Sequence, residues 1–376
     1  MAEFLTGFSN ILWGAPVLIL LGIVGLLYGI RTKFFQIRKM GYILKNTAGE
    51  MFKKGGGASG DKGTLTPLQA VCSALAGCVG TANIAGVATA MVVGGPGAVF
   101  WMWVIALLGM MTKCVEVTLG QYYRIQGKDG VYYGGPMYYI ERGMGKRLPQ
   151  ISWKWLAKIF AFFGMCVGLF GIGTFTQVNS INSAITGFFD PNKSATVSIL
   201  GMDYSIATVI GSLLVAIVVG LVVIGGLKRI ASVSEKVIPV MVVIYVAFSL
   251  ILIVLNITAL PDALVTIVQS AFGLRAAAGG ALGAIIIAMQ KGIARGIFSN
   301  EAGLGSAPIA AAAAQTKEPV RQGLVSMTGT FLDTIIVCSM TGLALVMTGA
   351  YQIPGLEGAA VTTAAFQMGL PFIPAE

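Results

Sequence analysis

The sequence predicts an all-α protein that crosses a membrane several times. Hydrophobic residues make up 56% of the chain, and only 11% of the residues are charged. A soluble globular domain carries about 25% charged residues, so most of the surface of this protein is expected to face lipid. The apolar residues form separate runs, several of which reach the roughly 20 residues that a helix needs to cross a bilayer.

Charge and residue usage exclude several classes of function. The formal net charge is +10, but in a membrane protein an excess of Lys and Arg marks the cytoplasmic segments, so no nucleic-acid partner is expected. The absence of histidine excludes histidine-based catalysis, proton relays and metal sites. The five cysteines lie in apolar runs without a C-x-x-C spacing, which indicates packing residues. With no paired carboxylates and no nucleophile–base pair at a useful spacing, no enzyme is predicted.

The first predicted span covers residues 11–31. Basic residues follow its apolar run instead of preceding it, and no cleavage pattern is present, so it is expected to be a retained helix and not a signal peptide. The basic segment after it is predicted to lie in the cytoplasm. Within that segment, residues 34–54 are predicted to form an interfacial helix, with Ile43 among the residues that face lipid.

The second span, residues 66–92, contains the stretch on which the functional prediction depends. Its middle combines three glycines with two polar residues: Gly77, Gly80, Gly86, Thr81 and Asn83. Each glycine lowers helix stability by about 1 kcal/mol relative to alanine. A broken helix in a membrane presents N–H groups to a carboxylate and C=O groups to a cation. Close packing of helices through small residues is the alternative, and the residues alone leave both open.

The third and fourth spans carry polar residues of their own. In the third span, 98–123, Lys113 and Glu116 lie three residues apart, a spacing that predicts a local ion pair. The fourth span, 155–187, is predicted to be one long helix in which Gln177 lies near the depth of the break in span two. Gln177 either makes an interhelical hydrogen bond, worth about 1 kcal/mol, or binds a ligand.

The second half of the chain again combines apolar spans with polar residues. Its predicted elements are spans at 204–226 and 230–256, a short external helix at 261–274, a span that starts at 279–293, and a span at 322–350. A polar stretch, 295–306, interrupts the seventh span. Asp333 lies within the eighth, and a carboxylate inside the membrane is a functional-site candidate by default. Pairing with Arg295 or Arg275 is the alternative explanation for it.

The distribution of basic residues supports this arrangement of spans. With spans alternating in direction, nearly all of the 25 Lys and Arg residues fall on one side, and Lys193 and Arg275 are the exceptions. This pattern predicts a multi-pass protein of the cell membrane with its N-terminus outside. Residues 357–376 are apolar and lack a charged tail, so we expect the chain to be part of a longer one.

Three sequence blocks resemble the sodium:alanine (glycine) symporter family. GGPGAVFWMWVIALLG (94–109) is similar to the signature of that family, and GTANIAGVATA (80–90) and RGIFSNEAGLGSAP (295–308) resemble two further blocks. The resemblance extends over essentially the whole chain. It implies a membrane transporter that couples inward sodium movement to the uptake of alanine or glycine, with Na⁺ as the coupling ion.

The order of features also resembles the superfamily of the bacterial leucine transporter, which has inverted repeats and interrupted core helices 1 and 6. The resemblance implies one transmembrane domain over residues 1–376. Residues 11–31 are then an extra N-terminal helix, 66–256 are core helices 1–5, and 279–376 are core helices 6 and 7 with an external loop. Under this alignment the later helices are absent, so a sodium site shared between core helices 1 and 8 is incomplete.

The same resemblance implies a substrate site at the two helix breaks. The implied substrate-binding residues are Cys78, Gly80, Thr81, Ala82, Asn83, Gln177, Gly296, Phe298, Ser299 and Asn300. In this scheme the backbone N–H groups of Gly80 and Thr81 receive the substrate carboxylate, Gln177 faces the ammonium or the carboxylate, and Phe298 closes the pocket. The second break is expected within 296–300 or, alternatively, within 272–280.

Sodium ligands and ion carriers are implied in the same way. Ala76, Val79 and the side-chain oxygen of Asn83 are candidate sodium ligands, and Asp333 and Glu301 are candidates for ion coupling. A proton-coupled amino acid transporter, with Asp333 or Glu301 as the carrier, is the first alternative. A small-solute channel is the second, but two interrupted helices with unlike polar residues favour an occluded site. Membrane lipid is expected as a partner, and the sequence does not determine the oligomeric state.

Overall fold

The structure, a computed structural model, describes residues 3, 7–9, 11, 13–47, 67–192, 194–199, 201–274, 280–314, 316 and 318–372. The chain is 78% helical, and seven helices of the described part are long and apolar enough to cross a membrane. These observations confirm the predicted class, an all-α membrane protein with several spans.

The described part of the first half of the chain contains ten α-helices, one π-helix and one hairpin. In chain order they are α1 (Ala15–Arg31), α2 (Phe35–Arg38), α3 (Met40–Asn46), α4 (Pro67–Cys78), α5 (Thr81–Gly94), α6 (Gly97–Tyr122), β1 (Ile125–Gln126), β2 (Tyr132–Tyr133), α7 (Pro136–Tyr139), a π-helix (Ile140–Met144), α8 (Gly145–Arg147), α9 (Lys154–Leu169) and α10 (Ile172–Phe189). Strands β1 and β2 pair antiparallel, with Ile125 opposite Tyr133.

The second half begins with another hairpin and continues as helices. In chain order they are β3 (Thr196–Ile199), β4 (Met202–Ser205), α11 (Ile206–Ile224), α12 (Gly226–Leu255), a 3₁₀ turn (Ile257–Ala259), α13 (Leu260–Ala271), α14 (Ala281–Asn300), α15 (Ser306–Ala311), α16 (Pro319–Thr330), a π-helix (Phe331–Cys338), α17 (Ser339–Thr348), a 3₁₀ turn (Ala350–Gln352) and α18 (Ala359–Gly369). Strands β3 and β4 pair antiparallel, with Thr196 opposite Ser205. The sequence did not predict either hairpin.

Helix α6 lies at the centre of the packing. Of the most apolar stretch of α6, 61% is buried inside the protein. This share is larger than in any other candidate membrane span of the described residues. Helices α1, α13, α14, α15 and α16 pack against it. The approach of α14 is close because Gly292 and Gly296 face it: a Cβ at Gly292 would lie 2.8 Å from the Cβ of Trp101. Small residues at a four-residue spacing permit such close contact between membrane helices.

The fourth and fifth predicted spans form an exposed, apolar edge. In each of the spans Lys154–Phe189 and Ile206–Ile224, only 6% of the most apolar stretch is buried inside the protein. The fourth span is not the single helix that the sequence predicts. Helix α9 ends at Leu169 and α10 begins at Ile172, with Gly171 between them at φ +57°. Glycine adopts this left-handed conformation at no steric cost, which allows the chain to change direction here.

Helix α4 ends at Cys78 and α5 begins at Thr81, so the second span is interrupted at Val79 and Gly80, within the glycine-rich stretch. The second interruption lies within the predicted polar stretch 295–306, but it follows residues 296–300, where the resemblance to the leucine transporter placed it. Helix α14 is continuous through 296–300 and ends at Asn300, and the break occupies 301–305 before α15. In the alternative stretch, 272–280, residues 275–279 lie outside the described part.

The segment after α1 differs from the predicted lipid-facing helix. Residues 48–54 lie outside the described part, and the rest forms the two short helices α2 and α3. Ile43 was predicted to face lipid but is completely buried, packed with Met110, Met111 and Met327. The reason is tertiary: α3 packs against α16, so the apolar face of α3 is covered by protein.

Candidate functional site

A buried network of polar side chains joins α5, α14 and the π-helix Phe331–Cys338. The Asp333 carboxylate accepts hydrogen bonds from Asn83 Nδ2 at 2.6 Å and from Ser299 Oγ at 2.7 Å. Thr334 Oγ1 donates to the same carboxylate at 2.7 Å. All four residues are 0% exposed. These hydrogen bonds offset the free energy that burial of the negative charge of Asp333 costs.

Local structure explains how these side chains meet. Asn83 lies in the first turn of α5, directly after the first break, and Ser299 lies in the last turn of α14, directly before the second. Asp333 lies in a π-helix, whose wider turn shifts the direction of the side chains, and such segments are frequent at functional sites. The network therefore connects both helix breaks to one carboxylate.

Asp333 is held by hydrogen-bond donors and not by Arg295. The Arg295 guanidinium lies over the ring of Phe298, 5.3 Å from its centroid. Arg275, the other predicted partner, lies outside the described residues. Three neutral donors, the Asn83 amide and the Ser299 and Thr334 hydroxyls, therefore hold the carboxylate.

The oxygen of Asn83 has a structural partner. Its Oδ1 accepts a hydrogen bond from the backbone N–H of Gly80 at 2.8 Å, across the first break. Its Nδ2 lies 3.1 Å from Ser299 Oγ, in addition to its bond to Asp333. The Gly80 N–H and the Asn83 oxygen are therefore partners of each other in this structure, and the Asn83 oxygen keeps a second lone pair; their roles toward a carboxylate and toward sodium stay predictions. The first-turn N–H groups of Thr81 and Ala82 remain, since α5 offers them no intrahelical acceptor.

The two breaks also meet at Asn300. The Cys78 thiol lies 3.7 Å from the Asn300 carbonyl oxygen, and the Lys113 ammonium donates to that oxygen at 2.6 Å. The side chain of Asn300 donates to Thr334 Oγ1 at 3.1 Å. The predicted ion pair is not a direct contact: among the described residues, no nitrogen–oxygen distance within 4.0 Å joins Lys113 and Glu116, although the two opposite charges attract each other.

Thr81 lies at a large cleft beside the first break, and Gln177 lies next to Gly80 of that break. The Gln177 side chain is exposed, and its Nε2 lies 3.5 Å from the position of a Cβ on Gly80. Thr81 lines a cleft of about 1040 Å³ between α5, α10, α12 and α18. Its polar lining includes Thr81, Ser180, Tyr245 and Thr362. The structure therefore places Gln177 beside the first break, as predicted, while the cleft itself is lined by Thr81 and not by Gln177.

Five of the predicted site residues do not join this network. Phe298 contacts Trp13 with the two rings tilted and their centroids 6.2 Å apart, and it lines a separate cleft of about 270 Å³. Gly296 packs against Ile105 of α6. Ala76 and Val79 pack in an apolar cluster. Glu301, at φ +56°, ends α14 and accepts a hydrogen bond from Ser306 Oγ at 2.6 Å.

Three residues of the site have little signal in the sequence. Thr341 Oγ1 donates to the Asn83 carbonyl at 2.7 Å, and the hydroxyl of Tyr245 lies 2.6 Å from Thr341 Oγ1. Cys338 Sγ lies 3.3 Å from Asn83 Nδ2. A single hydroxyl or thiol in an apolar helix is common, so only the tertiary contacts distinguish these residues from packing residues.

Comparison with known proteins extends over the whole chain. The sequence profile described as "Sodium:alanine symporter family" matches residues 1–374. An uncharacterized transporter of Haemophilus influenzae is 52% identical over 98% of this chain and 75% of its own length. The sodium/alanine symporter AgcS of Methanococcus maripaludis is 42% identical over 96% of this chain and 75% of its own length. The probable sodium/glutamine symporter GlnT of Bacillus subtilis is 39% identical over 96% of this chain and 69% of its own length.

Proposed function

The chain belongs to the sodium:alanine symporter family, and on this premise we propose that it carries alanine or glycine into the cell together with sodium. Membership of the family makes it a multi-pass transport protein and not an enzyme. The substrate and the coupling ion belong to the proposal. We also place its N-terminus outside the cell, since nearly all of its Lys and Arg residues lie on the opposite side of the predicted spans.

We assign the chain to the leucine-transporter-like fold as part of the same proposal. The interruption between α4 and α5 supports their identification as core helix 1, and the interruption between α14 and α15 supports that of core helix 6. Residues 66–256 then hold core helices 1–5, and residues 279–376 hold core helices 6 and 7. In transporters with broken helices, substrate and ion bind at the breaks.

The observation that carries the proposal is the buried link between the two breaks through Asp333. An ion that binds this carboxylate changes the contacts of Asn83 and Ser299, which border the two breaks. Such an ion has a different free energy of binding in each arrangement of the half-helices, and this difference is the requirement for coupled transport. Oxygen atoms of Asp333, Ser299 and Thr334 form the donor set that a hard cation such as Na⁺ prefers.

The substrate is placed in the cleft at the N-terminus of α5. Its carboxylate faces the N–H groups of Thr81 and Ala82, where the helix dipole favours an anion. Gln177 lies beside Gly80 and supplies a neutral donor or acceptor. Proton coupling through Asp333 is the alternative mechanism, and sodium dependence of the flux distinguishes the two.

Uptake of labelled alanine into proteoliposomes that contain the full-length protein tests the function. Saturable uptake is expected only with an inward sodium gradient. Asn83→Ala is expected to lower it by about tenfold or more, because the substitution removes the bonds to Gly80, Ser299 and Asp333. Asn179→Ala, at an exposed position of α10, serves as the matched control. Equal uptake with and without sodium would overturn sodium coupling, and an absence of saturable alanine uptake would overturn the substrate.

Gln177 is expected to affect substrate affinity more than sodium affinity. Gln177→Leu keeps a similar volume but removes one neutral hydrogen-bonding group, which corresponds to a rise in the KM for alanine of up to about tenfold. The half-saturating sodium concentration is expected to stay within about twofold, because Gln177 lies at Gly80 and not at Asp333. Ser183→Ala, on an exposed face of the same helix, is the control. A change confined to sodium dependence would contradict the assignment.

A further inference from the structure

A second cleft, which the proposed substrate and sodium sites do not use, lies between α5 and α14. Its volume is about 270 Å³, and its lining includes Gly86 and Val93 of α5 and Arg295 of α14. The large cleft at the first break is lined by other residues of α5, such as Thr81 and Ile84. The two clefts therefore open on different faces of α5.

The charge of this second cleft is positive. Lys291 and Arg295 both line it, four residues apart in α14, and none of the described residues that line it is acidic. Like charges at this spacing on a helix repel each other. Lys291 is exposed, whereas Arg295 is half-buried, so water compensates the guanidinium less well than the ammonium. A pair of cations in such a place favours an anion.

The Arg295 guanidinium has hydrogen-bond donors without acceptors. A guanidinium carries five N–H donors, yet this one makes no hydrogen bond and no ion pair with the described residues, and its Nε is buried without a partner. It lies over the ring of Phe298, which contacts its flat face and leaves the N–H groups in its plane unused. The Asp333 carboxylate attracts its charge, but no nitrogen–oxygen contact within 4.0 Å joins the two. These donors are therefore available to a ligand.

The backbone of α5 fixes the position of the guanidinium. A Cβ at Gly86 would overlap Nη2 of Arg295, so the guanidinium occupies the space that the side chain of any other residue would take. Further along α5, the Cβ of Lys291 lies 3.1 Å from the position of a Cβ on Gly94. Two glycines thus make room for the two cationic side chains. A binding group that is held by packing against a helix is preorganised for its ligand.

We propose that this cleft binds a small carboxylate anion, with Arg295 as the binding residue and Lys291 beside it. The planar fork of a guanidinium matches the two oxygens of a carboxylate and forms two parallel hydrogen bonds with it. A spherical anion cannot use both N–H groups equally well. The volume of about 270 Å³ holds an anion of the size of acetate together with water, and Ala90 and Val93 offer apolar contacts to its methyl group.

The transported amino acid and a lipid headgroup fit this cleft less well. A zwitterionic amino acid carries an ammonium group that both cations repel, and no described lining residue is acidic to receive it. A lipid phosphate lies at the membrane surface, whereas Lys291 and Arg295 lie about 15 Å and 21 Å along α14 from its start at Ala281. These distances reach the middle of a hydrocarbon core that is about 30 Å thick. The proposal thus goes beyond the proposed function and does not rest on it.

Chemical protection of Arg295 tests the proposal without transport. The purified full-length protein is treated in detergent with phenylglyoxal, which modifies arginine, and the modified peptides are quantified by mass spectrometry. Choline salts replace sodium salts throughout. Saturating choline acetate is expected to slow the modification of Arg295 by about tenfold, since occupied sites do not react. The same concentration of choline chloride is expected to slow it by less than about twofold. Modification of Arg229, an exposed arginine of α12, is the internal control and is expected to be unchanged.

Thermal unfolding as a function of acetate concentration provides the second measurement. Acetate is expected to raise the unfolding temperature of the unsubstituted protein in a saturable way. Arg295→Gln is expected to weaken acetate binding by at least about tenfold, and Arg295→Lys, which keeps the charge but loses the fork, by less. Lys291→Met is expected to weaken it by about two- to fivefold, because an exposed charge is screened by water. Arg229→Gln is the matched control and is expected to keep the full response.

Gly86→Ala separates the geometry of the site from its charge. The added methyl group takes the place of Nη2 and displaces the guanidinium, while the positive charge stays in the cleft. The atom that must move is the end of a flexible side chain, so the protein is expected to fold, and it is expected to lose the protection by acetate. This variant therefore still tests the site if Arg295→Gln does not fold.

Three outcomes would overturn the proposal: no protection of Arg295 by acetate, equal protection by chloride, or full protection in Gly86→Ala. Protection by alanine as strong as that by acetate would also contradict the assignment, because it would make the ligand a zwitterion. If the unsubstituted protein shows no sodium-driven uptake, the proposed function fails, while the protection data still decide whether the cleft binds a carboxylate.

Discussion

Asp333→Asn is expected to reduce sodium-driven alanine uptake by about a hundredfold or more. The carboxylate accepts hydrogen bonds from Asn83, Ser299 and Thr334 at 2.6–2.7 Å. An amide of the same shape turns an NH₂ group toward at least one of these donors, and it removes the negative charge that a cation requires. A hydrogen bond to a charged group is worth about 1.5–3 kcal/mol, so loss of two of them accounts for an effect of this size.

The measurement is the initial rate of uptake as a function of sodium concentration, with thermal stability determined in parallel. Two opposing effects act on the stability of the Asp333 variant: the lost hydrogen bonds lower it, and replacement of a buried charge by a neutral group lowers the cost of burial. Thermal unfolding therefore separates a loss of folding from a loss of transport. Asp203→Asn, at an exposed position in β4, is the matched control. Near-normal sodium-dependent uptake in Asp333→Asn would show that the carboxylate has a structural role only.

Gly292→Val is expected to prevent correct packing of α14 against α6. A Cβ at Gly292 would overlap the carbonyl oxygen of Ala98 and lie 2.8 Å from the Cβ of Trp101. Backbone atoms cannot move aside as the end of a flexible side chain can, so the two helices must separate. Overpacking typically costs about 1–3 kcal/mol, and a contact with backbone is expected to reach the upper end of that range or exceed it.

Size-exclusion profiles and thermal unfolding of the purified protein provide the test. Gly283→Val is the matched control on the same helix, because a Cβ there meets nothing within 4 Å. The Gly283 variant is expected to behave like the unsubstituted protein, while the Gly292 variant is expected to aggregate or to unfold at a clearly lower temperature. Equal stability of the two variants would contradict the close packing of α14 on α6. Helix α14 carries Ser299 and Asn300, so loss of this packing is expected to abolish uptake as well.

Part of the candidate site could be predicted because its signals are local. Glycine and polar residues at 77–83 destabilise a helix wherever they occur, and the structure breaks the helix at Val79 and Gly80. The second break was expected in the preceding residues, 296–300, yet α14 continues to Asn300. From α6, the Lys113 ammonium donates a hydrogen bond to the carbonyl oxygen of Asn300, and Glu116 lies one turn further along the same helix. These residues are remote in sequence, and no local pattern reports their influence.

By itself, the sequence determined that this is an all-α membrane protein, where its second predicted span is interrupted, and which residues are polar within apolar spans. These properties depend on composition and on neighbours along the chain. Only the tertiary structure decided the partners: Asn83 and Asp333 are 250 residues apart and 2.6 Å from each other. It also decided that Phe298 faces Trp13 and that Lys113 binds Asn300 instead of Glu116. The physical reason is that a buried polar group must find a partner on whichever helix packs against it, and close packing between helices selects that partner.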